Sequence, residues 1–274
     1  MRQLKPLARR LLASPYIVWA VLFVLAPMVF VVYYSFTDRS GAWTLENILG
    51  LGSYAQLFGR SIWYSIVATL LCFLLAYPLA LALCKMKVKT QRILVMLVML
   101  PMWMSFLIRT YAWLVLLQDE GIVNHWLDAL SLPRFHMINT PGAVILGMVY
   151  NYLPFMILPI YTTLSKLDGS LHEAAHDLGA NAAQTLWRVT LPLSLPGIAS
   201  GITMVLVPSI STFYISQKMS TGNIFMIGDM IEQKFVMDYD LNMGAALSLA
   251  LMVMVIVSMM VMRRFTDNEG EVIP

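Results

Sequence analysis

The run His172-Glu173-Ala174-Ala175-His176 carries the most explicit chemistry in this 274-residue chain. It matches H-E-x-x-H. On a helix that spacing sets two imidazoles on one face to hold Zn²⁺ and leaves the glutamate beside the metal as a general base. The run lies in a polar connection, however. Asp168 stands four residues before His172, where a helix start uses an aspartate as its cap. Without a metal, both histidines are solvated or face a partner. Other reactive residue types offer less. His125 and His136 stand alone in loops. Cys72 and Cys84 are twelve residues apart on one apolar stretch, roughly 18 Å along a helix, too far to bridge. The 21 methionines are scattered, with no M-x-x-x-M array on a polar loop, and read as adaptable packing.

The elements that must position these residues are built for a bilayer. Hydrophobic residues make up 59% of the chain and charged residues 12%, about half the charged share of a soluble domain. The apolar residues come in long blocks, and about 20 in a row span the hydrocarbon core as a helix. Six spans are expected, at about 15–36, 61–84, 93–117, 141–164, 197–217 and 242–262, in a single transmembrane domain over 1–274. Lipid offers no partner to free backbone groups, and the blocks lack the alternation of barrel strands. The fold class is therefore an all-α membrane protein. The first block is too long for a signal peptide and no small-residue cleavage site follows it, so it reads as a retained span.

Lysine and arginine set the orientation. Arg2, Lys5, Arg9, Arg10, Lys85, Lys87, Lys89, Arg92, Lys166, Arg188, Arg263 and Arg264 fall on one side. Arg39, Arg60, Arg134, Lys218 and Lys234 fall on the other, so both termini are expected to be cytoplasmic. The net charge of +3 comes without a basic stripe interleaved with aromatics, which argues against a nucleic-acid partner. No internal repeat is visible and no carboxylate lies in a span, which argues against a secondary transporter or a channel. The outer loops hold more acids than bases, an arrangement that would concentrate a cation, although the orientation rule alone depletes such loops of lysine and arginine.

Two connections look structured. The outer one, 218–240, holds an apolar patch at Ile224–Ile227 followed by Asp229 and Glu232. It reads either as a short interfacial or re-entrant helix or as an ordinary surface loop. The cytoplasmic one, 166–196, reads as helix, tight turn, helix. Ser170 with Glu173 fits a capping box, Gly179 stands where a helix end wants φ > 0, and Asn181 with Gln184 fits a second start. Pro192 and Pro196 then punctuate the return to the membrane. Ala174 and Ala175 leave one face of the first helix nearly bare, suited to close approach by a partner.

These same residues carry a resemblance. Glu173-Ala174-Ala175, Gly179 after three residues, Val189 after nine more, and Leu191-Pro192 are similar to the EAA loop of bacterial ABC-importer permeases, with valine for isoleucine the only departure. Leu167-Asp168-Gly169 also resembles the L-D-G element of intramembrane zinc proteases, but that aspartate comes there from a different, later segment. The longer EAA pattern already accounts for the glutamate and both alanines. The segments Ser105–Tyr111, Tyr152–Met156, and Pro208 through Phe213–Ser216 look like the first permease of spermidine/putrescine importers.

The resemblance implies a type I ABC-importer permease fold in a bacterial inner membrane. Glu173, Ala174, Ala175, Asp177, Gly179, Leu191 and Pro192 would form a coupling helix that docks on an ATPase. The expected partners are a second, related permease in a heterodimer, two copies of an ABC ATPase, and an extracytoplasmic solute-binding protein. The chain has no G-x-x-x-x-G-K-[ST] loop. It is accordingly expected to be no enzyme and to bind no cofactor itself, ATP and Mg being used by the partner ATPase. The implied cargo is a polyamine; related permeases carry iron, sulfate or other small solutes. Candidates along the substrate pathway are Trp63, Trp103, Arg109, Tyr111, Tyr152, Tyr214, Asp229 and Glu232. Aromatics near the outer ends can cage a cation or merely anchor at the interface. Arg109 is the only charge inside a span, and is expected in an ion pair with an outer-loop acid.

Overall fold

The structure, a computed structural model, describes residues 15–220, 222 and 224–267. Arg2, Lys5, Arg9, Arg10 and the tail from 268 lie outside the described residues, as do the side chains of Arg263 and Arg264. Helix dominates what is described, and the one β pairing there is an isolated bridge between Thr37 and Trp43.

Among the described residues five helices are long and apolar enough to cross a membrane: α1 (Pro15–Ser35), α2 (Glu46–Cys84), α6 (Pro141–Leu164), α8 (Ala182–Ile210), and α11 (Leu241–Asp267), through Met262. A sixth crossing exists only if α3 (Val88–Trp103) and the helical stretch Phe106–Ala129 count as one span, and these are bent by 90°. That stretch comprises α4 (Phe106–Leu117) and α5 (Ile122–Ala129). The short helices are α7 (Gly169–Asp177), α9 (Tyr214–Ser220) and α10 (Ile227–Glu232), which continues as a π-helix to Met237.

The bend corrects the expectation of one straight span over 93–117. Pro101 explains the stop. It has no N–H to continue the α-helical ladder, so the last turn tightens into a 3₁₀ turn over Leu100–Trp103. Met104 donates its N–H to the Pro101 carbonyl, and Met104 and Ser105 then adopt extended backbone.

The fifth span differs in the opposite sense. Pro192 and Pro196 do not punctuate an approach to the membrane; they lie inside α8, which begins at Ala182. A π turn over Leu186–Thr190 closes with the Leu191 N–H on the Leu186 carbonyl, immediately before the residue that has no N–H to give.

The chain divides into two compact units, described residues up to Ala55 with Met230–Val253 in one, and Gln56–Asp229 with the remainder of α11 in the other. In the first, α1 is apolar all round and buries almost nothing. Its end is tied by amides: Asn47 and Asn242 both donate Nδ2 to the Thr37 carbonyl, at 2.8 and 2.6 Å. The Asp38 carboxylate accepts from the Ser40 N–H and hydroxyl and from the Ala42 N–H, and these bonds, the Ser40 hydroxyl's first, hold its pKa below the usual carboxylate range.

In the second unit the core lies between α2, α6 and α8. Cys72 Sγ meets the Val149 carbonyl and Cys84 Sγ the Tyr161 carbonyl, the same sequence offset twice, so α2 and α6 run parallel in contact. Both cysteines are free. The α6–α8 contact is closer still, because Gly197 and Gly201 present bare backbone one turn apart. A methyl on Gly197 would meet the Pro159 carbonyl at 2.9 Å, and one on Gly201 would meet Met156 Sδ at 2.7 Å. In lipid, where apolar surface gains nothing by leaving solvent, such small-residue contacts decide which helices associate.

Candidate functional site

The connection after α6 is built by capping chemistry. Asp168 caps α7, its carboxylate accepting the Ser170 N–H at 3.0 Å. That backbone bond, with the Ser170 hydroxyl, lowers its pKa, so the cap is present above the usual carboxylate range and is lost as pH falls through it. The Ser170–Glu173 capping box expected from sequence is not formed; Asp168 takes the position two residues earlier. Asp168→Ala is expected to speed amide exchange over 169–172 while leaving α8 unchanged, and equal exchange in both proteins would reject the cap.

The helix ends in a Schellman motif. The Gly179 N–H bonds the His176 carbonyl at 2.8 Å and the Ala180 N–H bonds the Ala175 carbonyl at 3.0 Å. The geometry requires positive φ at Gly179, found at 79°. Asn181 and Gln184 then form a complete reciprocal capping box at the start of α8.

Of the residues tied to docking, Glu173, Ala174, Asp177, Gly179 and Pro192 are exposed, Leu191 is half-buried, and Ala175 is buried. This corrects the bare-face reading: Ala175 faces the chain's own interior, and only Ala174 is open to a partner. The apolar residue that stands out is one the sequence reading passed over. Leu178 is 89% exposed on a turn that is otherwise polar, with Trp187 nearby in sequence at 67%. His172 Nε2 lies 3.1 Å from Thr190 Oγ1, so its ring is engaged with the π turn that opens α8.

The second cluster of candidates lies where α4 meets α9. Tyr111 and Tyr214 are neighbours, ring centroids 6.4 Å apart, and Phe106 lies tilted against Tyr214 at 6.0 Å. Lys218, one helical turn beyond Tyr214, holds its ammonium 5.6 Å from the Tyr111 ring and 5.8 Å from the Tyr214 ring. Sequence reading assigned Lys218 only to loop charge, because the apolar block ended one residue earlier. The i, i+4 spacing from Tyr214 was the available signal.

The other pathway candidates scatter. Trp63 and Trp103 are well exposed and join no ring cluster among the described residues, which fits interface anchors. Tyr152 is buried, its hydroxyl donating to the Pro208 carbonyl. Arg109 is 8% exposed and lies 5.9 Å from the Phe106 ring, but among the described residues it forms no ion pair, and its Nε and Nη1 find no acceptor there. The expected acid partner is not found among the described residues: Arg109 lies on α4, beyond the 90° bend, with the Phe106 ring as its neighbour. Glu232 falls in the other compact unit, half-buried.

Asp229 is 2% exposed, so it lines no open path. It is a clasp. Its Oδ2 accepts the Met226 N–H at 2.7 Å, closing the first turn of α10, and its Oδ1 accepts the Ser216 hydroxyl of α9 at 2.9 Å. The outer connection is thus helical and packed inward, and the surface-loop alternative is set aside. Asp229→Leu would orphan the buried Met226 N–H, at about 1–3 kcal/mol, and would leave the Ser216 hydroxyl only its bond to the Phe213 carbonyl. The variant is expected to lower the thermal midpoint in detergent by several degrees, and an unchanged midpoint would reject the clasp.

Comparison with known proteins bears on this geometry. The chain is 40% identical over 247 residues to the spermidine/putrescine transport system permease protein PotB of Haemophilus influenzae, covering 86% of each. PotB of Escherichia coli is 36% identical over 85% of this chain and 88% of its own. The Escherichia coli inner membrane ABC transporter permease protein YdcU is 32% identical over 77% and 72%. Among solved structures, a bacterial ABC transporter involved in the import of the acidic polysaccharide alginate aligns with a TM-score of 0.80 at 18% identity, covering 97% of this chain and 96% of that one. The MetNI methionine ABC transporter, in an inward facing form, aligns at 0.59 and 16% identity over 78% and 94%. These two show the shared fold. With residues 73–268 matching the family itself, the chain belongs to the binding-protein-dependent transport system inner membrane components.

Proposed function

We propose that this chain is the membrane-spanning permease subunit of an ATP-driven ABC importer whose cargo is a polyamine such as spermidine or putrescine. The observation that carries the cargo is the 36–40% identity to PotB permeases along most of both chains. It is not an enzyme; hydrolysis belongs to a separate ATPase chain, which uses ATP and Mg, and this chain binds no cofactor.

The mechanism is alternating access. A binding protein delivers cargo to the outer loops, with both termini of this chain on the cytoplasmic side. Two ATPase copies close on ATP and move the α7 turn, where exposed Leu178 and Ala174 offer the apolar contact and Gly179 sets the direction of the chain. A second, related permease completes the pore. The zinc-protease reading gains nothing from the geometry, since His172 is engaged with Thr190. The cargo competitors are iron, sulfate and similar solutes.

The test is gentle purification of the tagged chain from its native membrane, followed by uptake of radiolabelled spermidine into vesicles holding the recovered assembly and its binding protein. Co-purification of an ATPase and a second permease, with ATP-dependent uptake, is the expected result. A chain recovered alone overturns the importer, and an intact assembly that ignores spermidine overturns the cargo.

A further inference from the structure

Where α4 meets α9, two cations lie among three aromatic rings. The Arg109 guanidinium lies by Phe106, Phe106 by Tyr214, and the Lys218 ammonium between Tyr214 and Tyr111. Lys218 is half-buried, and among the described residues no ion pair joins it, or Arg109, to a carboxylate. A partly desolvated ammonium normally finds an acid. Among the described residues its ammonium instead faces two aromatic rings, the arrangement by which proteins hold alkylammonium ligands. Methionine would fill the same space without the cost of half-burying a charge. The lysine therefore has the chemistry of an occupant, bound to its seat by a flexible four-carbon stem that can swing out.

We propose that Lys218 is a tethered stand-in for cargo, holding the Tyr111–Tyr214 seat until an ammonium group of the cargo displaces it, and that it thereby sets the preference for polyvalent over monovalent amines. The proposal rests on the polyamine reading above. A monovalent amine entering the seat gains the same two ring contacts that Lys218 gives up and meets its repulsion at close range, so the exchange returns nothing. A polyamine brings further ammonium groups that bind elsewhere along the path, and these offset the repulsion. Lys218 is thus a specificity-determining residue for the seat that the two tyrosines form.

The experiment is equilibrium binding of radiolabelled spermidine and of butylamine to the complete permease–ATPase assembly without binding protein. Parent, Lys218→Met and Lys218→Arg are compared, each checked for assembly by size exclusion. Removing a like charge at this range is expected to tighten spermidine binding about tenfold. Butylamine should gain more, so the preference for spermidine narrows. Lys218→Arg should match the parent, and adding Tyr214→Leu to Lys218→Met should cancel the gain. Unchanged or weaker binding in an assembled Lys218→Met variant overturns the proposal; Lys218→Gln replaces it if methionine blocks assembly. Parent vesicles that take up spermidine while no variant binds it also overturn the seat. Parent vesicles that take up none refute the cargo reading, and this proposal falls with it.

Discussion

Replacing Gly201 by leucine is expected to cut the yield of folded protein in a detergent extract and lower its melting temperature markedly. The position of the added Cβ lies 2.7 Å from Met156 Sδ and 3.2 Å from the Met156 carbonyl. The sulfur can swing aside, but the carbonyl belongs to the backbone of α6 and cannot. The rest of the leucine side chain must then push α6 and α8 apart along the whole contact that Gly197 shares. Overpacking a well-filled interior costs about 1–3 kcal/mol and sometimes more, against a total stability of about 5–15 kcal/mol. In lipid there is also no hydrophobic gain from re-closing the pair in another register. Fluorescence-detected size exclusion of a tagged variant checks this. A symmetric peak with parental yield and melting would show that the glycines are not what holds the two helices together. Gly201→Ala should fall between, because its one methyl presses chiefly on the flexible thioether.

The second large effect is expected at Gly179, where Gly179→Glu should abolish ATP-driven uptake while the protein still inserts, folds and purifies. Two contributions need separating. The first is backbone strain: φ is 79°, and a side chain in the left-handed region costs about 1–2 kcal/mol. The second is bulk and charge on a docking surface. Apart from its chain neighbours, no described residue lies within 4 Å of where a Cβ would stand, so the first atom of a side chain has open space. Gly179→Ala carries the strain without the bulk and should retain most of the uptake. If Gly179→Glu transports like the parent, the turn does not face the ATPase. If alanine fails as badly as glutamate, the Schellman geometry matters more than the surface.

How much of this was legible in the sequence depended on which force fixed each feature. Lipid admits only satisfied backbones, so the apolar blocks translate into helices with little ambiguity. The turn at Gly179 and the box at Asn181 were readable because each is decided within a few residues. What escaped was decided between elements. The break after Trp103 turns on Pro101, which sits inside one continuous apolar block of the sequence. The same kind of residue at 154 and 159 leaves α6 unbroken, so a proline alone does not tell which helix will part. Ala175 looked free because its neighbours in space, unlike those in sequence, could not be counted. Asp229 looked like a pathway acid because type and location suggested it; only the fold shows Met226 and Ser216 occupying its oxygens. Leu178 was overlooked as one leucine among many, and its exposure is what singles it out.

The continuation of α8 through its π turn has a mechanical consequence. A helix from Ala182 to Ile210 is a rod of about 43 Å. Gly197 and Gly201 press it onto α6 partway along, leaving arms of about 25 Å and about 17 Å on either side. That is a first-class lever with its fulcrum at the glycine pair. A shove of about 3 Å delivered at the Asn181 end returns as about 2 Å in the opposite sense at Ile210, by the ratio of the arms. Ile210 is followed, after Ser211–Phe213, by Tyr214 and Lys218. If α8 pivots at the glycines as one body, motion received at the α7 turn would reach the aromatic seat reversed in direction and reduced by about a third.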